Sequence, residues 1–417
     1  MSTKVSRQTL TVFLFCSSFS FLLWLVAGWA VGVDHPLYHP WDDQYTLQAQ
    51  AWAKGMLDLE PTPKQIELVK FKGRLYNSFP PTPAIFEFLL NPLFESKTPI
   101  AFFLYVASYA SFVMAAFFLA KFGVSASAAL FLSFAVIFCG NALYPMAHGG
   151  VWYQAQIYAL FLGVLSFFLA AYGGRFWGSC FLSLGLAVGC RPFYLFYFPL
   201  LILVLHKYRG KNFKSLALQS LCWGMPVMIV LALHNYVRFG IVWEFGHNFL
   251  PNMGRQKDLF ALRYFVRNIY YVFFAVPEVD TTAKTFLLAN PMGNAFWFCN
   301  PLFAWILIRT VFGKYKHKSY LLLVLATLWF PLLAHESNGW IQFGYRYAID
   351  LFLWSLVIVA LNSKALIFSL RSLLFVSIFS AGVNLWGAHW RHKVLSHQEI
   401  MNSFRDLSCA TCQWFQN

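Results

Sequence analysis

HPWDDQYTLQAQAWAKG, residues 39–55, and GRLYNSFPPTPAIFEFLLNPL, residues 73–93, follow the first long apolar run of the chain. The first stretch puts two adjacent carboxylates, Asp42 and Asp43, where a membrane helix should meet water. Good helix formers run from Tyr45 to Leu57, and Gly55 and Pro61 mark where that helix should fray. The spacing predicts an amphipathic helix lying on the membrane. The prolines of YNSFPPTP, residues 76–83, stiffen the chain where it re-enters apolar sequence. Asn77 is followed by Ser78 and Phe79, so it is no glycosylation sequon.

The rest of the chain fits a bilayer. Of 417 residues, 59% are hydrophobic and 11% charged, against roughly 25% charged in a soluble domain. The apolar runs are continuous and lack the period-2 alternation of a barrel. They predict an all-α polytopic membrane protein, residues 1–417 forming one unit of about eleven helices. The expected spans are 9–33, 99–120, 124–145, 152–172, 176–190, 192–206, 215–236, 294–313, 319–334, 346–361 and 365–387. The first is too long for a signal-peptide core and reads as a signal anchor. The short runs at 176–206 flank Arg191-Pro192 and are either a tight pair of short crossings or a place where the bilayer is thin.

A net charge of +15 could suggest nucleic acid, but its distribution argues otherwise. Lys4 and Arg7, Lys121, Arg175, Lys207 to Lys214, Lys314 to Lys318, Lys364 and Arg371 cluster between apolar runs, as cytoplasmic loops do. Acidic residues collect in the alternate loops, eight of the sixteen in the first one. The N-terminus is therefore expected inside and the C-terminus outside. Two outside segments are long, 34–98 and 237–293, and long loops in compact folds are usually functional. Aromatic stretches in the second, such as Tyr270, Tyr271, Phe273 and Phe274, suit helices at the interface. The tail, 388–417, carries Cys409 and Cys412, a candidate local disulfide. The other six cysteines read as small core residues.

Asp42 and Asp43 have two compatible readings: a carboxylate at a helix-bundle mouth can serve as general base, and Asp before Gln-Tyr-Thr-Leu is a helix N-cap. The pattern of this loop resembles the first outside loop of the GT-C class of membrane glycosyltransferases, in the bacterial branch related to protein mannosyltransferases and lipopolysaccharide sugar transferases. GLAVGCRPFY (185–194), HNYVRFGIVWEFGH (234–247), NGWIQFGYRYAID (338–350) and NLWG (384–387) extend the resemblance in order along the chain. It implies a GT-C-like fold with outer-face juxtamembrane helices. It further implies sugar transfer from a polyprenyl-phosphate donor, with an Asp of the first loop as base. The match falls on Asp42-Asp43 without choosing between them.

That chemistry wants cations where a lipid phosphate leaves. Arg346 and Arg191 are the leading candidates, with His335 beside them. Ionisable residues in membrane helices usually face cavities. The bland alternative for Arg346 is an i,i+4 ion pair with Asp350. Tyr345, Tyr347, His148 and Arg238 are possible lining residues, and Arg255 and Arg263 are weaker candidates. No nucleotide motif or convincing metal-ligand spacing is present. The residues specify no cofactor, and a divalent cation, magnesium or manganese, at the doublet stays open. The expected partners are the lipid donor, a glycan, lipid or protein acceptor, and the bilayer of the inner membrane. A transporter or flippase of a lipid-linked or small polar substrate is the alternative. It would want broken helices and charges near the midplane.

Overall fold

The computed structural model describes residues 6–396, except 34, 41, 63–66, 96, 251–258, 280–286, 289–291, 338, 340–341, 365 and 367–368. The chain is a multi-pass helical membrane protein. In hydrocarbon a segment must satisfy its own backbone polar groups, so each long apolar run winds into helix. Five helical stretches are long and apolar enough to span: Arg7–Ala30, Ile100–Lys121, Val151–Tyr172, Phe213–Phe239 and Leu370–His392. The other expected spans also fall on helices, most of them only 10–17 residues long.

In chain order, α1 (Arg7–Ala30) starts at Ser6, whose hydroxyl accepts the Thr9 N–H. The 34–98 segment then folds into α2 (Gln44–Ala53), a hairpin of β1 (Leu68–Phe71) and β2 (Arg74–Asn77), and α3 (Thr82–Phe94). The bundle continues with α4 (Ile100–Lys121), α5 (Ala126–Phe138), the single turn α6 (Leu143–His148) and α7 (Val151–Tyr172). Next come α8 (Ser179–Val188), a 3-10 stretch Pro192–Tyr197 and α9 (Phe198–Leu203). A wide π turn, Ser220–Gly224, joins α10 (Phe213–Gln219) to α11 (Met225–Phe239) in one rod. After α12 (Phe265–Phe273) lie a small hairpin of β3 (Glu278–Val279) and β4 (Leu287–Leu288), then β5 (Met292–Asn294), α13 (Phe296–Cys299), α14 (Pro301–Phe312) and α15 (Lys318–Ala334). β6 (Gln342–Gly344), a 3-10 turn Arg346–Leu351, α16 (Phe352–Leu361) and α17 (Leu370–Ser396) close the fold.

α7 is the axis of the bundle: 72% of its central stretch is buried, against 11% for the α10–α11 rod, which faces lipid. Small residues bring membrane helices close. Ala155, Ala159 and Gly163 recur one turn apart on α7 and are all buried. A methyl at Gly163 would stand 2.6 Å from Tyr194 and 2.9 Å from Leu353. Trp354, fully buried on α16, keeps its indole N–H satisfied by the Leu321 carbonyl at 2.9 Å, as a buried Trp should.

Two expectations change. α2 does not lie on the membrane: Gln44, Tyr45, Thr46, Gln48, Ala49 and Ala51 are buried, and the helix packs on α3. Part of its polar surface is paired in place: the Asn77 amide donates to Gln48 Oε1 at 3.1 Å, and the Thr46 hydroxyl lies 2.6 Å from Asp43 Oδ2. Of the cysteines read as core, Cys16, Cys139, Cys180, Cys190 and Cys299 are buried, but Cys222 is exposed on the lipid-facing rod. α12 and the residues flanking it carry an outward apolar row, Leu262, Val266, Tyr270 and Phe274. Cys409 and Cys412 lie outside the described residues.

Three tethers set the position of the site. β5 pairs in parallel with β6, and Asn294 Nδ2 donates to the Phe343 carbonyl at 2.7 Å. Asn384 on α17 donates to the carbonyls of Cys139 (3.2 Å) and Cys299 (2.8 Å). Asn77 receives Arg238 Nη1 on its carbonyl at 2.9 Å, fixing the end of β2 to α11.

Candidate active site

Gly149 and Gly150 separate α6 from α7, and each glycine has its own reason. Gly149 ends α6 at φ 81°, in the left-handed region that favours glycine. Gly150 has an ordinary φ of −60°, but a Cβ there would lie 2.4 Å from Oδ2 of Asp42. The missing side chain makes room for the carboxylate. The Asp42 carbonyl also accepts the Val151 N–H at 3.0 Å, stitching the first loop onto the first turn of α7. That turn has no side-chain cap, so the positive end of the helix dipole favours an anion beside it.

The two aspartates part company here. Asp43 caps α2: its Oδ1 accepts the N–H groups of Tyr45 (3.1 Å) and Thr46 (3.3 Å) and the Gln154 amide (2.9 Å), while Oδ2 accepts the Thr46 hydroxyl at 2.6 Å. Burial pushes its proton affinity up, and those donors pull it back. Asp42 is also buried, 2% exposed, yet its Oδ1 has no hydrogen-bond partner. An orphaned buried acceptor needs a reason. Room for an incoming donor is one.

Around Asp42 stand His148, Tyr153 and Arg391, each within reach of its charge. His148 Nδ1 accepts the Gly150 N–H at 3.3 Å, and its ring stacks on Tyr144 at 5.5 Å. Burial lowers its proton affinity, Asp42 partly restores it and His392 opposes. The imidazole is therefore neutral, with its proton on Nε2. The Arg391 guanidinium lies 4.4 Å from the Tyr144 ring centre and 5.9 Å from that of Tyr153. Arg346 approaches Tyr153 at 5.5 Å, and also Trp152 (5.4 Å) and Tyr347 (5.3 Å). Its Nε has no partner. Asn141, Tyr144, Tyr153, Gln342, Arg346 and Arg391 line one cavity. Such a site offers an acceptor-rich carboxylate and cations seated on aromatic faces.

Arg191 has a different setting. Its Nε (3.1 Å) and Nη2 (2.6 Å) both donate to Asp350 Oδ2, with side chains 16% and 1% exposed. The alternative pairing of Arg346 with Asp350 is thereby overturned. Arg191 also packs at 5.1 Å on Tyr347, so one phenol ring touches both guanidiniums. His335 lies edge-on to Tyr347 at 6.3 Å. Burial pushes its pKa down to about 4; the Ser337 backbone is the main opposing pull, and His247, Arg191 and Arg267 add to the lowering. At neutral pH it can hydrogen-bond to a phosphate but brings no charge.

Three of the remaining candidates have hydrogen-bond partners within the protein. Tyr345 is fully buried and donates to the Leu332 carbonyl at 3.0 Å. Arg238 is spent on Asn77 and on Asn235 Oδ1, at 3.1 Å. Arg263 donates to its neighbour Tyr264 at 2.9 Å, and Arg255 lies outside the described residues. Sequence reading missed Arg391, because α17 continues beyond residue 387, where the span was expected to end. Arg391 is two turns beyond Asn384, hence on the same face.

No family model matches the chain, and no curated protein matches it. Among solved structures, the crystal structure of ArnT from Cupriavidus metallidurans bound to undecaprenyl phosphate is similar over 91% of this chain and 76% of that one. The two share 12% identity, with a TM-score of 0.48.

The Gly150–Asp42 contact makes a prediction. Gly150→Ala keeps the backbone conformation but drives a methyl into the carboxylate. A reaction that uses the Asp42 carboxylate should slow by about a hundredfold, the cost of an ångström-scale misplacement, with an unchanged melting temperature. Equal losses of activity and stability would mean that the glycine serves packing instead.

Proposed function

We propose that this protein is a membrane glycosyltransferase that moves a sugar from a polyprenyl-phosphate carrier to a hydroxyl or amine of an envelope glycan, lipid or protein. Asp42 takes the acceptor proton as the new glycosidic bond forms at the anomeric carbon. The bond from that carbon to the phosphate oxygen breaks, and its electron pair leaves with the lipid phosphate. Arg346, with Arg391, stabilises the negative charge that grows there. Asp43 holds the loop in place. The reading is carried by one observation: the buried Asp42 carboxylate has an unpartnered oxygen and acts on Tyr153 and Arg391, two residues that line one cavity with Arg346. The family resemblance of the loop and of the later segments adds to it.

The ionisable groups gather at one end of the bundle, near the start of α7 and the far end of α17. That favours chemistry at one membrane face, proposed to be the outer face of the inner membrane, over a transport site at the midplane. The Asp43 oxygens are occupied by N–H and O–H donors. The doublet is therefore not a pair of free cation ligands, and we propose transfer without a cation held there. Arg191, paired with Asp350, supports the phosphate site through Tyr347 and not as a free cation.

The test is mass spectrometry of envelope glycans from cells with and without the protein, followed by transfer with purified enzyme and the lipid donor so identified. A glycan unchanged by deletion would remove the proposal. In the purified assay, Arg346→Lys should lower kcat by about a hundredfold. An ammonium neither stacks on three rings nor offers the forked donors of a guanidinium.

A further inference from the structure

A third carboxyl, Glu87, lies between α2 and α3, and the chemistry above does not use it. It interrupts the apolar run of α3 and is fully buried, at 0% exposure. Among the described residues no ion pair includes it. Its Oε2 lies 3.3 Å from Thr46 Oγ1, and the same hydroxyl lies 2.6 Å from Asp43 Oδ2. Its Oε1 has no hydrogen-bond partner.

Proton counting decides what Glu87 is. A threonine hydroxyl has one hydrogen and two lone pairs. The Thr46 hydrogen goes to Asp43, by far the closer contact. The other groups on Asp43 are two backbone N–H groups and the Gln154 amide, all donors. All three converge on Oδ1, an arrangement that favours the ionised carboxylate. The Thr46–Glu87 contact is a hydrogen bond only if Glu87 supplies the hydrogen. Two ionised carboxylates sharing one hydroxyl in a buried site would repel each other and leave one without a donor.

We infer that Glu87 is a neutral carboxylic acid at neutral pH, which donates to Thr46 so that Thr46 can hold Asp43 as the ionised cap of α2 and thereby keep Asp42 in place. Glu87 is a positioning residue: it touches neither sugar nor phosphate. Its effect on transfer rests on the reading of Asp42 as base, whereas the proton on Glu87 does not.

The electrostatics agree. Burial, then the Asp43 charge, push Glu87 from its ordinary 4.5 up to about 9. The groups facing this pair are Tyr158 on α7, Tyr45 on α2, His39 ahead of the doublet, and Thr98, whose hydroxyl, like that of Thr46, pulls the other way without cancelling the rise. The sign for stability follows. An unfolded chain releases this proton near 4.5, and the folded one holds it to about 9. The stabilisation is complete below the lower value, declines as pH rises and is gone once pH passes the upper one.

Infrared spectroscopy of the protein in bilayers at neutral pH reads this proton directly. The expected result is a carboxylic-acid carbonyl band that shifts in heavy water and is absent in Glu87→Gln. Thr46→Val should move it to higher frequency, because the acid loses its acceptor. Glu87→Gln, which still donates, should keep transfer and flatten the fall of melting temperature with rising pH. Glu87→Ala should lose about a hundredfold in transfer, by displacing the loop. If a variant fails to fold, carboxyl-labelled glutamate in the wild type reports the same band.

A spectrum in which no glutamate is protonated, or a band untouched by Glu87→Gln, overturns the inference. Neither reading needs a sugar donor, so that failure leaves the proposed function standing. A protonated Glu87 in a protein without transfer activity would sink the proposed function alone.

Discussion

Asp42→Asn is expected to abolish sugar transfer, by about 10²- to 10⁴-fold, the usual worth of a positioned general base, while the protein folds and melts as before. Asparagine has the size of aspartate but no basic oxygen. The structural tie at this position is the Asp42 carbonyl, which accepts the Val151 N–H at 3.0 Å, and the substitution keeps it. Asp43 should behave in the opposite way. Asp43→Ala strips the cap from α2 and leaves the Thr46 hydroxyl and the Gln154 amide without their acceptor. Losing an N-cap costs about 1 kcal/mol, and each abandoned buried donor adds to it. Asp43→Asn should be milder, since asparagine also caps helices. Purified variants, compared by turnover and by thermal melting, separate the two roles. Full activity in Asp42→Asn, or a loss confined to Asp43 variants of normal stability, would exchange the assignments.

Much of the fold was legible because lipid leaves the chain few options. The continuous apolar runs become helices, and the basic clusters separate them. What could not be read was partnering. α2 looked like a surface helix because Gln44, Thr46 and Gln48 are polar. All three are buried, and Thr46 and Gln48 are met there by Asp43 at the helix cap, Glu87 on α3 and Asn77 at the end of β2. Glu87 did carry a signal, an ionisable residue inside TPAIFEFLL, where lipid or core would reject it without a function or a partner. The Arg346–Asp350 pairing failed for a geometric reason. Residues 346–351 form a 3-10 turn, not an α-helix, and at three residues per turn positions i and i+4 point apart. Asp350 is thereby free to face Arg191, some 160 residues away in sequence.

Breaking that pair should produce the largest loss of stability in the molecule. Asp350 is 1% exposed and Arg191 16%, so Asp350→Ala strands a guanidinium among Phe193, Tyr347 and the end of α8. Removing one partner of a buried ion pair costs about 3–5 kcal/mol, whereas replacing both by apolar residues of similar volume is often neutral. The double variant Arg191→Met with Asp350→Leu should therefore melt close to wild type in detergent, and Asp350→Ala far below it. The Tyr197 hydroxyl donates to the Asp350 backbone carbonyl at 2.6 Å, a bond that all these variants keep. This preserves the turn and confines the difference to the charges. Transfer then tells the two functions of Arg191 apart. If it only orders Tyr347 and the turn carrying Arg346, the stable double variant should retain most of its activity. If its guanidinium reaches the leaving phosphate, stability should return without transfer, and Arg191 would join Arg346 among the groups that touch substrate.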